Sequence, residues 1–127
     1  MAPDRKPVVW VGSSLKDLRE FPAEVQHVIG FALYRAQTGD KHPDAKPLKG
    51  FGGAGVLEIV EDFDSDTNRA VYTVKLQDAV YVLHAFQKKS RRGSETPRHE
   101  IELVQRRLKQ AEAIHASRRT GDGGGRT

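Results

Sequence analysis

Cysteine is absent from the 127-residue chain. That excludes disulfides, thiolate zinc sites and a cysteine nucleophile, and it agrees with a reducing, cytoplasmic setting. No apolar run reaches the roughly 18 residues of a membrane-spanning helix. Residues 1–6 are polar and lead straight into a strand-like run, so no secretory leader is expected. The connector 40–55 carries Gly50, Gly52, Gly53 and Gly55 but lacks the Walker spacing of a phosphate-cradling loop. The length allows one domain with one core, expected over residues 1–116, and the Gly-rich, basic stretch 117–127 is expected to be disordered.

Charge is present in excess only at one end. Residues 1–85 hold 10 Lys/Arg against 12 Asp/Glu, whereas residues 86–127 hold 11 against 5. The net +4 therefore belongs to the last third of the chain. Clustered cations suit a polyanion such as nucleic acid, through counterion release, and a solvated basic helix gives the same pattern.

Val8-Val9-Trp10-Val11, stopped by Gly12-Ser13-Ser14, reads as a first strand. Ser14 offers an N-cap for a short helix carrying Leu15, Leu18 and Phe21. Pro22 suits the first turn of a second helix whose buried face is Val25, Val28, Ile29, Ala32, Leu33 and Ala36, and Gly39 ends it. Strands are predicted over 56–63, 69–76 and 79–87, with a polar turn at 64–68 and a tight hairpin at Gln77-Asp78. Thr96 then looks like the N-cap, with Pro97 in the first turn, of a final helix. Its stripe is Ile101, Val104, Leu108 and Ala111, reaching about His115. The order β-α-α-β-β-β-α predicts an α+β domain: a small antiparallel sheet with an N-terminal helical hairpin and a C-terminal helix on one face.

That hairpin sorts side chains by face and sets Arg69 opposite Phe86. Ala70, Tyr72, Val74 and Leu76 with Ala79, Tyr81, Leu83 and Ala85 form an apolar face for the helices. Arg69, Val71, Thr73 and Lys75 with Val80, Val82, His84, Phe86 and Lys88 form the other, with Lys89 next in the chain. A cation, an imidazole and an aromatic ring at one end of that face are the groups that RNA backbone cleavage uses: charge for a phosphorane, a proton donor near neutral pH, and a ring for a base. Equally, His84 can be a packing residue and Arg69 the partner of an acid.

The segment Arg69-Ala-Val-Tyr-Thr-Val, followed by Val80-Tyr-Val-Leu-His-Ala-Phe-Gln-Lys-Lys-Ser90 and Thr96-Pro-Arg-His-Glu-Ile-Glu-Leu103, resembles the RelE/ParE superfamily of toxins, and within it the HigB-like, phage-associated branch. Lys46-Pro47-Leu48-Lys49-Gly50 before the 56–63 strand also looks like the family, and the likeness spans roughly residues 8–112. The resemblance implies the RelE-like fold and metal-free, cofactor-independent cleavage of mRNA on the ribosome by attack of the ribose 2′-hydroxyl. It implies Arg69 as the phosphate-stabilising residue, His84 as general acid, Glu58 as general base and Lys89 as a further cation. Lys88, Phe86, Arg91, Arg92 and Lys49 are expected against RNA or ribosome, with Arg98, Arg106 and Arg107 completing a basic rim, although Arg106 and Arg107 can equally be solvated helix residues. Glu58 can equally be a solvated strand residue. Two departures stand out: 90–94 contains no tyrosine, and Val60 stands where relatives place a second lysine.

The resemblance also implies a cognate antitoxin, of helix–turn–helix type, that holds the toxin inactive. Two other functions share these features: a gyrase poison with the same fold and no nuclease activity, and a non-toxic nucleic-acid-binding module. The cluster of Arg69, His84, Lys88 and Lys89 favours the nuclease, because a pure protein binder has no need of it.

Overall fold

The computed structural model describes residues 5–52, 55–88 and 96–124, with side chains through residue 118. The elements are β1 (Val8–Trp10), α1 (Ser14–Arg19), α2 (Ala23–Gln37), β2 (Lys46–Pro47), β3 (Val56–Phe63), β4 (Asp66–Thr73), β5 (Val80–Lys88) and α3 (Arg98–Gly124). The sheet order is β1-β5-β4-β3-β2. This is the α+β class that the sequence predicts, with two corrections to its layout.

The first concerns the sheet. β2 to β5 are antiparallel, but β1 lies parallel to β5, with Val9 beside Tyr81. The chain leaves β1 through two helices before the meander begins, so its return to the same edge brings β5 in alongside. The second concerns the layers. α1 and α2 cover one face, where Leu18, Val25, Ile29, Leu33 and Ala36 meet Ile59, Ala70, Tyr72 and Val82. α3 covers the opposite face, where Val104 and Ala111 meet Val71, Tyr81 and Leu83, with Ile101 and Leu108 packed against them. The α3 stripe is the one read from its spacing, but it lies on the face expected to be open.

A β-bulge explains this. Arg69 faces Phe86 and Val71 faces His84, as the hairpin reading requires, but Tyr72 faces Val82. Leu83 is the residue left out of the ladder. One extra residue reverses the alternation upstream of it. Val80 and Val82 therefore join the α2 side, and Tyr81 and Leu83 join the α3 side. Both faces of the central strands become apolar, and both need a cover.

The turns trade places with expectation. The 64–68 segment tightens to a two-residue hairpin, with Asp64 and Ser65 both at positive φ, the twist-matched geometry of a type I′ turn. The Gln77-Asp78 hairpin instead lies inside a longer link between Thr73 and Val80. At the end of α2, the Asp40 amide donates to the Arg35 carbonyl and the Gly39 amide to the Ala36 carbonyl, a Schellman closure around Gly39 at φ +85°. α3 continues to Gly124 instead of stopping near His115. Asp78 accepts hydrogen bonds from Tyr81 and His115 and ion-pairs with Arg118, which fastens this helix to the β4–β5 link.

Two serines and an arginine set the depth at which α1 and α3 sit. Ser14 is buried and donates to the Val82 carbonyl instead of capping α1. Arg107 donates to the Leu83 carbonyl, which the bulge has released from the ladder, and to the Ser13 hydroxyl, both at 3.0 Å. Its guanidinium lies across Gly12, where an added Cβ would fall 2.8 Å from Arg107 Nε. Gly12 has φ +59°, and Gly39, also at positive φ, has open space around it. Gly39→Ala should therefore cost only the left-handed strain, about 1 kcal/mol, and Gly12→Ala should cost more, about 2–3 kcal/mol, as urea midpoints will show.

Candidate functional site

Arg69 and Glu58 share the α3-facing side of the sheet. Glu58 sits opposite Val71, two residues along β4 from Arg69, so the two side chains are diagonal neighbours. Arg69 Nη1 lies 3.3 Å from Glu58 Oε2 and 3.1 Å from Thr96 Oγ1, and the Thr96 hydroxyl in turn donates to Glu58. The guanidinium is only 2% exposed, so Arg69 lies under cover and not on an open sheet face, paired with an acid as the second reading allowed. Burying such a pair carries a desolvation cost of several kcal/mol, offset only where the remaining donors are satisfied. Here Arg69 Nε has no hydrogen-bond partner.

Arg69, Glu58 and Thr96 form one wall of a cleft of about 510 Å³, which Lys46, Lys49 and Ile101 also line. Lys46 faces Glu58 across the β2–β3 ladder. Three cations thus converge on one opening, with Glu58 and Asp62 as its acids.

His84 belongs to a different opening. It is 5% exposed, stacks on Phe86 with ring centroids 4.8 Å apart, and its Nε2 lies 2.7 Å from Glu100 Oε1. Both rings line a second cleft of about 280 Å³ with Asp17, Glu20 and Glu100. Burial pushes the His84 pKa down against the opposing pull of Glu100, so the ring is neutral near pH 7. A neutral ring that donates Nε2–H to the carboxylate leaves a bare Nδ1, which has no partner.

The structure therefore brings Arg69, Glu58 and Lys49 to one cleft and His84 with Phe86 to another. Lys88 is at the far end of β5, opposite Thr67. Lys89, Arg91 and Arg92 lie outside the described residues. Of the basic rim, Arg98 and Arg106 are exposed on α3, and Arg107 is the clamp described above. Three contributors escape sequence reasoning. Thr96 looked like a helix cap, but the Pro97 carbonyl takes the first helical hydrogen bond and the Thr96 hydroxyl serves the ion pair. Lys46 sat in an assumed connector. Glu100, a first-turn acid of the kind that favours a helix N-terminus, turns to His84 instead. Among the described residues, no group of His, Asp and Glu is placed to hold a metal ion, and no helix is long and apolar enough to cross a membrane.

The His84 environment predicts a pH dependence. The unfolded chain binds this proton more readily, near the ordinary value of about 6.5. Neutral His84 thus contributes stability above that pH, and the contribution is lost as pH falls below it. Urea midpoints between about pH 5 and about pH 8 should fall more steeply on acidification for the native chain than for His84→Gln. Parallel curves would show that His84 is not held neutral by burial.

The family model "Phage derived protein Gp49-like (DUF891)" matches residues 16–109. No curated protein matches significantly. Among solved structures, a mutant of the E. coli toxin RelE in the free state aligns with a TM-score of 0.52 at 17% identity, covering 84% of this chain and 97% of that one. The toxin–antitoxin complex RelBE2 from Mycobacterium tuberculosis aligns with a TM-score of 0.44 at 15% identity, covering 68% of this chain and 94% of that one. The expected RelE-like fold is thus present. The matched segment is most of the chain and contains Glu58, Arg69, His84 and Thr96: the protein belongs to the phage-derived Gp49-like family of RelE-fold proteins.

Proposed function

We propose that this protein is the toxin of a toxin–antitoxin pair and cleaves messenger RNA on the ribosome. The observation that supports this most is the buried Arg69 guanidinium, with an unpartnered Nε, in the wall of a cleft flanked by Lys46 and Lys49. A buried donor left without a partner costs about 1–3 kcal/mol, and a phosphate oxygen is an acceptor of the right charge.

In this reading Glu58 takes the proton of a ribose 2′-hydroxyl as that oxygen attacks the adjacent phosphorus. Arg69 stabilises the phosphorane oxygens, and the 5′-oxygen leaves and takes its proton from water. Products are a cyclic phosphate and a free 5′-hydroxyl. Thr96 and Glu58 hold the guanidinium fork in one orientation, so productive binding requires the α3 end to give way to RNA, which the ribosomal decoding site drives by positioning the message. His84 fits the general-acid role poorly, because its ring is neutral, largely buried, bonded to Glu100 and in a different cleft from Arg69; it is assigned to packing. Lys88, Lys89, Arg91 and Arg92 supply further cations for ribosomal RNA. An antitoxin of helix–turn–helix type, co-expressed in the cytoplasm, would hold the toxin inactive.

Purified protein on messenger RNA, with and without ribosomes, tests this. Cleavage should require ribosomes, and Arg69→Lys, which keeps the charge but loses the fork, should be slower by about 100-fold or more. Arg69→Ala should be inactive and also less stable by about 1–3 kcal/mol, since it removes the ion pair while Thr96 still donates to Glu58, so circular dichroism must accompany it. Intact message with folded native protein and ribosomes, together with inhibited gyrase, would assign the gyrase-poison reading instead.

A further inference from the structure

The second cleft has the opposite character to the first. Asp17 of α1, Glu20 at its C-cap and Glu100 of α3 surround its floor, and among the described residues no lysine or arginine lines it. The floor is aromatic: Phe86 stacks on His84, and Phe21 closes one side. Its acceptors are the carboxylates of Asp17, Glu20 and Glu100, and beneath them lies the buried, unpartnered Nδ1 of His84, a residue 5% exposed. Polyanionic RNA is repelled by such a site. A metal ion does not suit it either, because among the described residues these acids are not grouped to hold one.

What the described lining lacks is a flat, donor-rich cation: Arg107 acts on Asp17 and Glu100 from nearby, but its fork is engaged by the Leu83 carbonyl and the Ser13 hydroxyl. A guanidinium carries five N–H donors in one plane, pairs with carboxylates side by side, and stacks on aromatic rings. A volume of about 280 Å³ suits one long side chain more than a whole cofactor. We propose that this cleft is a socket for an arginine side chain presented by a partner protein. The arginine lies against Phe86, its fork reaches Asp17 and Glu100, and the exposed Glu20 at the C-cap of α1 draws it in. The assignment does not depend on the RNA chemistry of the Arg69 cleft.

The full-length protein is titrated with the blocked peptide acetyl-Gly-Arg-Gly-amide, following the ring resonances of His84 and Phe86, and with the same peptide carrying neutral citrulline. Saturable shifts with the arginine peptide are expected, with the citrulline peptide weaker by about tenfold. Glu20→Lys, a rim substitution on an exposed residue that leaves the core untouched, should weaken the arginine peptide severalfold, and Glu100→Gln should do so more strongly. Equal binding of the two peptides, absence of ring shifts, or indifference to Glu20→Lys would overturn the proposal. So would ring shifts produced by a short RNA, or by raising protein concentration without peptide, which would assign the cleft to RNA or to a second copy of this chain.

Discussion

An extra residue in the middle of a strand decides where every side chain before it points. In β5 that residue is Leu83, and its effect propagates through the whole architecture. Upstream, Tyr81 is carried over to the α3 side and Val80 and Val82 to the α2 side. Downstream, His84 and Phe86 keep the facing that simple alternation assigns. The result is a sheet with two apolar faces and hence a three-layer molecule, in which α3 is obligatory cover and not an appendage. The bulge also frees a backbone carbonyl, and Arg107 takes it.

Once α3 lies across that face, the polar residues beneath it cannot form one open basin. The first turn of the helix divides them. On one side Thr96 closes over Arg69 and Glu58, and Lys46 and Lys49 make the opening cationic. On the other side Glu100 closes over His84, and Asp17 and Glu20 make the opening acidic. Two clefts of opposite sign on either side of one helical turn are suited to partners of opposite sign, and in both the titratable group is held by burial and a single carboxylate.

Much of this was legible in the residues. The apolar spacing of α2 and α3, the span of β3, Gly39 as a helix stop and the pairing of Arg69 with Phe86 all follow from periodicity and turn chemistry. Placing Arg69 and Glu58 on one face was within reach for the same reason. The bulge was not, because a single-residue insertion leaves no mark in an apolar run such as Val80-Tyr81-Val82-Leu83. Missing it hid the burial of Arg69 and His84 and the division of the site. The use of Thr96 was hidden for another reason: a hydroxyl before a helix has several backbone and side-chain partners to choose from, and only the tertiary position of Glu58 decides between them.

Arg107 joins three segments distant in the chain: the turn at Gly12, the Ser13 hydroxyl and the bulge at Leu83. The guanidinium touches all three at once. A side chain at Gly12 collides with the guanidinium, a shorter residue at 107 strands the Leu83 carbonyl, and a straightened β5 withdraws that carbonyl altogether. Sequence drift at these positions is therefore coupled. A change at any one of the three disturbs contacts of the other two, so these positions are expected to change together more often than apart.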